Sequence, residues 1–156
     1  MAQTFNVHGT GLLVGETGIL LRGPSGSGKS VLTLALLDRS EGRGEPAFLV
    51  ADDRVELVGS PQGLQMQAPA ALAGLLELRG RGIVSRPHRS PVRLDLVIDL
   101  VPETIRMLEE DAMVTEIAGV TLPRAPVPQS GLTALGHQVL LVVEAIRALP
   151  GSVPQA

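Results

Sequence analysis

Gly23-Pro24-Ser25-Gly26-Ser27-Gly28-Lys29-Ser30 fits the phosphate-loop pattern G-x-x-x-x-G-K-[ST] without a mismatch. Its flanks supply the context that the pattern needs. Gly18-Ile19-Leu20-Leu21 reads as a buried strand leading in. Val31-Leu32-Thr33-Leu34-Ala35-Leu36-Leu37 reads as part of a buried helix, starting about Ser30 and ending near Asp38-Arg39. The glycines let the backbone curl until its N–H groups point inward and make a nest for phosphate oxygens. The positive end of the helix dipole adds to that field. In such a loop Gly23, Pro24, Ser25, Gly26, Ser27, Gly28, Lys29 and Ser30 form the nucleotide cradle. Lys29 reaches the β- and γ-phosphates of ATP, and the Ser30 hydroxyl holds Mg²⁺. The bland alternative is a flexible glycine–serine turn that binds nothing.

The chain has 156 residues, 44% apolar and 19% charged, which describes a globular protein with a real core. One domain over residues 1–149 with a frayed tail at 150–156 is expected, since no repeat or linker interrupts the chain. A net charge of −3 argues against a general nucleic-acid binder. The only aromatic residues are Phe5 and Phe48, so base stacking is poorly served and the core must be aliphatic. The absence of cysteine excludes disulfides, thiolate metal sites and a Cys nucleophile. Met1 to Thr4 opens no basic segment followed by a long apolar run, and no apolar stretch approaches the roughly 20 residues of a membrane span. A cytoplasmic protein is the default expectation.

Along the chain, Thr4 to Val7, Gly11 to Val14 and Ala47 to Ala51 read as strands, with a polar loop from Glu41 to Pro46. Val55 to Val58 and Leu64 to Gln67 read as a hairpin around Gly59-Ser60-Pro61-Gln62-Gly63. Pro69 to Leu75 reads as a short helix, and Leu76 to Arg79 as strand or turn. Val92 to Val101 reads as one strong strand, with Thr104 to Leu108 and Met113 to Ile117 as two further candidates. Ser130 is placed to cap a C-terminal helix from Gly131 to about Leu149, its apolar stripe being Leu132, Leu135, Val139, Val142, Val143 and Ile146. Strands outnumber helices and one βα crossover stands out, unlike a doubly wound kinase. The expected class is a strand-rich α/β P-loop domain.

Phosphoryl transfer also needs carboxylates, to hold Mg²⁺ and to take the proton of an incoming hydroxyl. Asp52-Asp53 stands at the end of an apolar strand. Neighbours in extended chain point to opposite sides, so one aspartate can face the phosphate while the other orients metal, water or loop. Asp95 and Asp99 compete for this work, although a strand with a partly polar face explains them as well. Glu77, beside Arg79-Gly80-Arg81-Gly82, either completes a Mg²⁺ shell or forms a structural Glu–Arg pair, and chemistry alone does not choose. His8 lies between two glycine-flanked strands, where a lone histidine is usually structural. His88 and His137 read as surface or packing residues.

Together these pieces resemble the catalytic domain of HPr kinase/phosphorylase, a family that phosphorylates a regulatory serine on HPr, the small phosphocarrier of the sugar phosphotransferase system. The resemblance is carried by Val7-His8-Gly9, Gly23 to Ser30, Leu49-Val50-Ala51-Asp52-Asp53-Arg54-Val55 and Leu76-Glu77-Leu78-Arg79-Gly80-Arg81-Gly82-Ile83-Val84. It implies a domain similar to the nucleotide domain of phosphoenolpyruvate carboxykinase. It implies Lys29 on the transferring phosphate, Ser30 and Glu77 on Mg²⁺ with Asp53 beside them, and His8 in the active site. Asp52 would be the general base in the forward reaction and the acid in reverse. A homo-oligomer, in the family a hexamer, is implied by the resemblance alone.

Three departures stand out. A short form without the family's usual N-terminal regulatory domain, as known from some Gram-negative bacteria, is expected. Val31 stands where the family commonly has Glu. The late loop resembling Pro-Val-Arg-Pro-Gly-Arg-Asn is here Pro126-Val127-Pro128-Gln129-Ser130-Gly131-Leu132, without its arginine. Arg124 is nearby but out of register; the loop arginine could be replaced by Arg79, Arg81, Arg86 or Arg124 approaching from elsewhere, or by a neighbouring subunit. The expected function is an ATP-dependent protein-serine kinase acting on HPr, with phosphorylase activity weak or lost. The alternatives are a small-metabolite P-loop kinase and an ATP-sensing regulatory module without transfer.

Overall fold

Apolar runs that do not alternate are what a strand covered on both faces requires. Two such runs set the layering here. The computed structural model describes residues 3–151. Its strands are β1 (Thr4–His8), β2 (Thr10–Val14), β3 (Thr17–Arg22), β4 (Ala47–Ala51), β5 (Arg54–Ser60), β6 (Gly63–Gln67), β7 (Leu75–Leu78), β8 (Gly82–Ser85), β9 (Val92–Arg93), β10 (Leu96–Val101), β11 (Val114–Ile117) and β12 (Val120–Pro128). Its helices are α1 (Lys29–Gly42) and α2 (Leu135–Arg147). All of β2 and the centre of β3 are buried. Of the expected tail at 150–156, all but Pro150 and Gly151 lies outside the described residues.

Six strands form a mixed sheet in the order β11-β12-β10-β3-β2-β4, four form a second sheet in the order β1-β5-β6-β9, and β7 and β8 make a separate hairpin. Alternation along each strand feeds two cores. Leu12, Ile19, Leu21, Leu49 and Ile98 pack with Leu32, Leu36, Leu37 and Val142 of the helices. Leu13, Leu20, Val50 and Val97 pack with Val55, Leu57, Leu64 and Met66 of the second sheet. The layers are therefore helices, six-stranded sheet and four-stranded sheet, a sheet-rich mixed α/β fold.

Parallel pairing sets the functional edge. β12, β10 and β3 run parallel, and β2, antiparallel to both β3 and β4, makes β4 parallel to them. All four strands end at one edge of the sheet, where Gly23, Asp52 and Gln129 leave β3, β4 and β12.

The chain passes between the two sheets at β1–β2 and again at β4–β5, and the Gly9 N–H donates to the Asp53 carbonyl at 3.2 Å to join these corners. Gly9 has no room for a side chain, because a Cβ there would lie 2.5 Å from the Leu21 carbonyl oxygen.

Several sequence expectations change. The helix after the glycine loop runs on to Gly42. Val92 to Val101 is two strands, because Asp95 breaks the run. Its carboxylate accepts the Gly18 N–H at 2.9 Å and its own N–H donates to the Gly18 carbonyl at 2.8 Å. β9 thereby pairs in the second sheet and β10 in the first. Val97, expected on a partly polar face, is fully buried. Thr104 to Leu108 is irregular rather than a strand. Pro69 to Leu75 holds only a 3-10 turn at Ala70–Leu72, and β7 follows it.

β12 was hidden by its prolines. The Gln129 N–H donates to the Val101 carbonyl at 2.9 Å, so alternation turns the nitrogens of Pro126 and Pro128 away from β10. β11 pairs no further than Pro123, so no ladder bond is lost there. Ser130 does not cap α2. The helix starts four residues later than expected, at Leu135, after Ala134 and without a side-chain cap. The Ser130 N–H instead donates to the Ser27 carbonyl at 3.0 Å. Leu132 and Leu135 are exposed, while Gln138 is buried and its Nε2 donates to the Pro128 carbonyl at 2.9 Å.

A Cβ on Gly18 would lie 1.8 Å from the Arg93 carbonyl oxygen, whereas nothing lies within 4 Å of one on Gly59. Gly18→Ala should therefore cost about 1–3 kcal/mol in urea unfolding. Gly59→Ala should cost nothing by comparison. Equal midpoints for the two variants would contradict the close approach of β3 to the β9–β10 turn.

Candidate active site

The glycine loop leaves β3 at Gly23 and enters α1 at Lys29. Gly26 and Gly28 have φ of 84° and 100°, the left-handed region that favours glycine. Gly28 is further constrained because a Cβ there would lie 2.9 Å from that of Ser130. No side chain caps the start of α1, so its first amides face the loop unclaimed by a capping group. The Ser27 N–H bonds to the Pro24 carbonyl at 3.1 Å, and the buried Ser27 hydroxyl has no partner. Lys29 folds back across the loop, donating from Nζ to the carbonyls of Gly23 (2.6 Å) and Pro24 (3.1 Å). Burial pushes its ammonium below the usual lysine value, against the opposing pull of Asp52 and Asp53.

Asp52 and Asp53 are not in extended chain, as their place after a strand suggested. They form a turn in which Asp53 has φ of 67° and the Arg54 N–H donates to the Asp52 carbonyl at 2.8 Å. Aspartate tolerates this region better than most residues. The Asp52 carboxylate accepts the Thr10 hydroxyl at 2.9 Å. Burial pushes its carboxyl above the ordinary aspartate value; hydrogen bonds from Thr10 and from the backbone of Asp53 and Glu77 oppose that push, and the Asp53 charge adds to it. Asp53 is largely exposed and meets His8 Nδ1 at 3.3 Å.

A cavity of about 640 Å³ brings His8, Lys29, Ser30, Asp52, Asp53 and Glu77 together at this edge. Loop residues Ser25, Gly26 and Gly28 line it too, as do Arg79 and Ser130. The remaining loop residues Gly23, Pro24 and Ser27 shape the turn from behind. Among the described residues no cluster of three His, Asp or Glu side chains could hold a metal alone. One hydroxyl and the carboxylates of Asp53 and Glu77 in one cavity fit an ion that takes few protein oxygens and keeps waters.

The acids that competed with Asp52 are structural. Asp95 closes the β9–β10 turn and meets Arg93 Nε at 3.3 Å. Asp99 is held by Arg22, at 2.7 Å from Nε and 2.9 Å from Nη2, and by Arg124 Nε. Burial opposes its ionisation, but the two guanidinium groups prevail and hold its carboxyl below the usual range. Arg124 also donates to the Ala112 carbonyl at 2.9 Å, and Arg86 reaches Asp38 at 3.6 Å. Of the arginines considered for the missing loop role, Arg79 lines the cavity.

The sequence did not point to Thr10 or to the contact of Ser130 with Gly28. Thr10 was legible only as a polar residue opening an apolar run.

A family model, the HPr serine kinase C-terminal domain, matches residues 1–148. The HPr kinase/phosphorylase of Bordetella pertussis is 39% identical over 112 residues, 67% of this chain and 34% of that protein. That of Chromobacterium violaceum is 33% identical over 162 aligned residues, 93% of this chain and 47% of that protein. The chain thus spans between a third and a half of these relatives' length. The structure of the Hpr(Ser) kinase/phosphatase from Coxiella burnetii matches with a TM-score of 0.73 at 27% identity, over 93% of this chain and 88% of that one. No helix among the described residues is long and apolar enough to cross a membrane.

Asp99 supplies a pH prediction. Its folded value lies below its unfolded one, so its stabilisation is present above the unfolded value and is lost as pH falls through the folded one. Asp99→Asn should lower the urea midpoint at pH 7, with the penalty shrinking steadily below pH ~4. A penalty of the same size at pH 3 and pH 7 would contradict the ion-pair role.

Proposed function

The chain belongs to the HPr serine kinase C-terminal domain family, and on that basis we propose that it is an ATP-dependent protein-serine kinase acting on HPr. Residues 1–149 would be one catalytic domain, with Gly23–Ser30 as a true phosphate loop in a setting like that of phosphoenolpyruvate carboxykinase. The observation that supports this most is the single cavity shared by Lys29, Ser30, Asp52, Asp53, His8 and Glu77. A cytoplasmic homo-oligomer follows from the family reading.

In this reading the loop amides and Lys29 hold the β- and γ-phosphates, Lys29 leaving the loop carbonyls for them. Ser30 and Glu77, with Asp53, would hold Mg²⁺, which supplies further neutralisation of phosphate charge. Asp52 takes the proton of the HPr serine as that oxygen bonds to the γ-phosphorus and the bond to ADP breaks. A carboxyl raised by burial suits this work, because proton transfer is most efficient when the base lies nearer the operating pH. His8, 3.3 Å from Asp53, lines the same cavity. Neither Phe5 nor Phe48 lines that cavity, so adenine would rest on aliphatic or backbone surface.

The reverse reaction, phosphate attacking phosphoserine to give pyrophosphate, must bring two anions together beside Asp52. Pro128-Gln129-Ser130-Gly131 carries no charge, and neutral donors are roughly half as strong as charge-assisted ones. Arg124 is committed to Asp99 and Arg86 to Asp38. Arg79 lines the cavity but belongs to the β7–β8 turn; with no charge on the loop itself, the phosphorylase activity would be weak or lost.

Incubation with labelled ATP, Mg²⁺ and HPr should label a serine. Lys29→Ala should nearly abolish transfer with the fold intact, and Asp52→Asn should slow it by about 10²–10⁴ while nucleotide affinity changes much less. Nucleotide binding without any transfer would favour the sensing alternative. A greater loss of transfer in Asp53→Asn would move the base to Asp53. For the reverse direction, serine-phosphorylated HPr with millimolar phosphate and no ATP should lose phosphate far more slowly than it gains it. Equal rates, with pyrophosphate appearing, would refute the loss of phosphorylase activity.

A further inference from the structure

We infer that Thr10 is a positioning residue for phosphoryl transfer, its buried hydroxyl holding the Asp52 carboxylate in the orientation that accepts the acceptor's proton. This rests on the reading of Asp52 as the base. Thr10 is fully buried at the start of β2, where the following residues, Gly11-Leu12-Leu13-Val14, are apolar. Packing at such a position is satisfied by valine, which has the same branching and nearly the same volume. The hydroxyl adds no apolar contact and needs a hydrogen-bond partner once buried. That partner is Asp52 Oδ1, 2.9 Å away and 42 residues later in the chain.

Asp52 needs such an anchor. It stands on a turn just beyond β4, outside the paired residues of that strand, where an unanchored carboxylate would swing about χ1 and χ2. The Thr10 hydroxyl of β2 ties it to the six-stranded sheet. An ionised carboxylate offers roughly four acceptor directions. The Thr10 bond takes one on Oδ1 and fixes where the others point, so that an incoming hydroxyl meets an oriented acceptor. Without Thr10 the carboxylate could rotate, and the orientation it presents to the cavity would be lost. Thr10 lies two residues after His8, so the corner that presents His8 to the cavity also sets this anchor. Thr10 does not line the cavity. Its effect on the reaction passes through Asp52.

The test uses the whole chain with ATP, Mg²⁺ and HPr. Thr10→Val removes the hydroxyl and keeps the shape; it should lower kcat by about 10- to 100-fold with KM for ATP unchanged. Thr10→Ser, which keeps the hydroxyl, should restore most of the rate. In an Asp52→Asn background Thr10→Val should cause no further loss, because two residues acting as one unit are not additive. A Thr10→Val rate equal to wild type would overturn the inference. So would a Thr10→Ser rate as low as that of Thr10→Val, or an undiminished loss in the Asp52→Asn background. Should Thr10→Val fail to fold, Thr10→Cys, whose thiol is a weak donor, takes its place with the same outcomes. Wild-type protein that labels no HPr would defeat the kinase reading and this inference with it; an active wild type with an indifferent Thr10→Val defeats the inference alone.

Discussion

The hydrogen bond from the Gly9 N–H to the Asp53 carbonyl ties together the two corners at which the chain changes sheets. Part of the candidate site hangs from those corners, beside the glycine loop and Glu77. One carries His8 and Thr10; the other carries Asp52 and Asp53. The bond is possible because residue 9 has no side chain to strike the Leu21 carbonyl, and because Asp53 accepts a left-handed backbone. The parallel run of β3 and β4 then sets the Asp52–Asp53 turn on the same edge as the glycine loop. Ligands in open α/β sheets bind at that edge, beyond the carboxyl ends of the strands.

Charge is distributed unevenly around this edge. Arg22 and Arg124 converge on Asp99, whose carboxylate engages both. In front, Lys29 faces Asp52 and Asp53 with no arginine from the β12–α2 strap beside it. The strap's contribution is mechanical. Ser130 sits against Gly28 and its N–H donates to the Ser27 carbonyl, so the strap braces the loop through backbone and brings it no cation. The strap thus adds no charge to the cavity, whose cations are Lys29 and Arg79.

The parts legible in the sequence are those fixed by neighbours along the chain. The glycine loop, its entering strand and its helix depend on residues close together, and Asp52-Asp53 announces itself at a strand end. Contacts across the fold were not legible. Nothing local reveals that Thr10 meets Asp52, or that Asp95 folds back on Gly18 to split an unbroken apolar run. Prolines hid β12, because a strand with three of them reads as loop until two are seen to point away from the ladder. Ser130 carried the signal of a helix cap, but a bond to the phosphate-loop candidate claims its backbone first. At Ser130 and at Asp95 a tertiary hydrogen bond overrode a correct local preference.

The central claim is that the glycine loop and the Asp52–Asp53 turn form one nucleotide site at the carboxyl edge of the six-stranded sheet. Amide hydrogen exchange with and without ATP and Mg²⁺ tests it most directly. The predicted result is slowed exchange at Gly26, Gly28, Lys29 and Ser30 and around Asp52–Asp53, with the opposite edge of the sheet, at Gly15–Thr17 and Arg43–Glu45, unchanged. Unaltered exchange in the loop, or protection confined to that opposite edge, would contradict it.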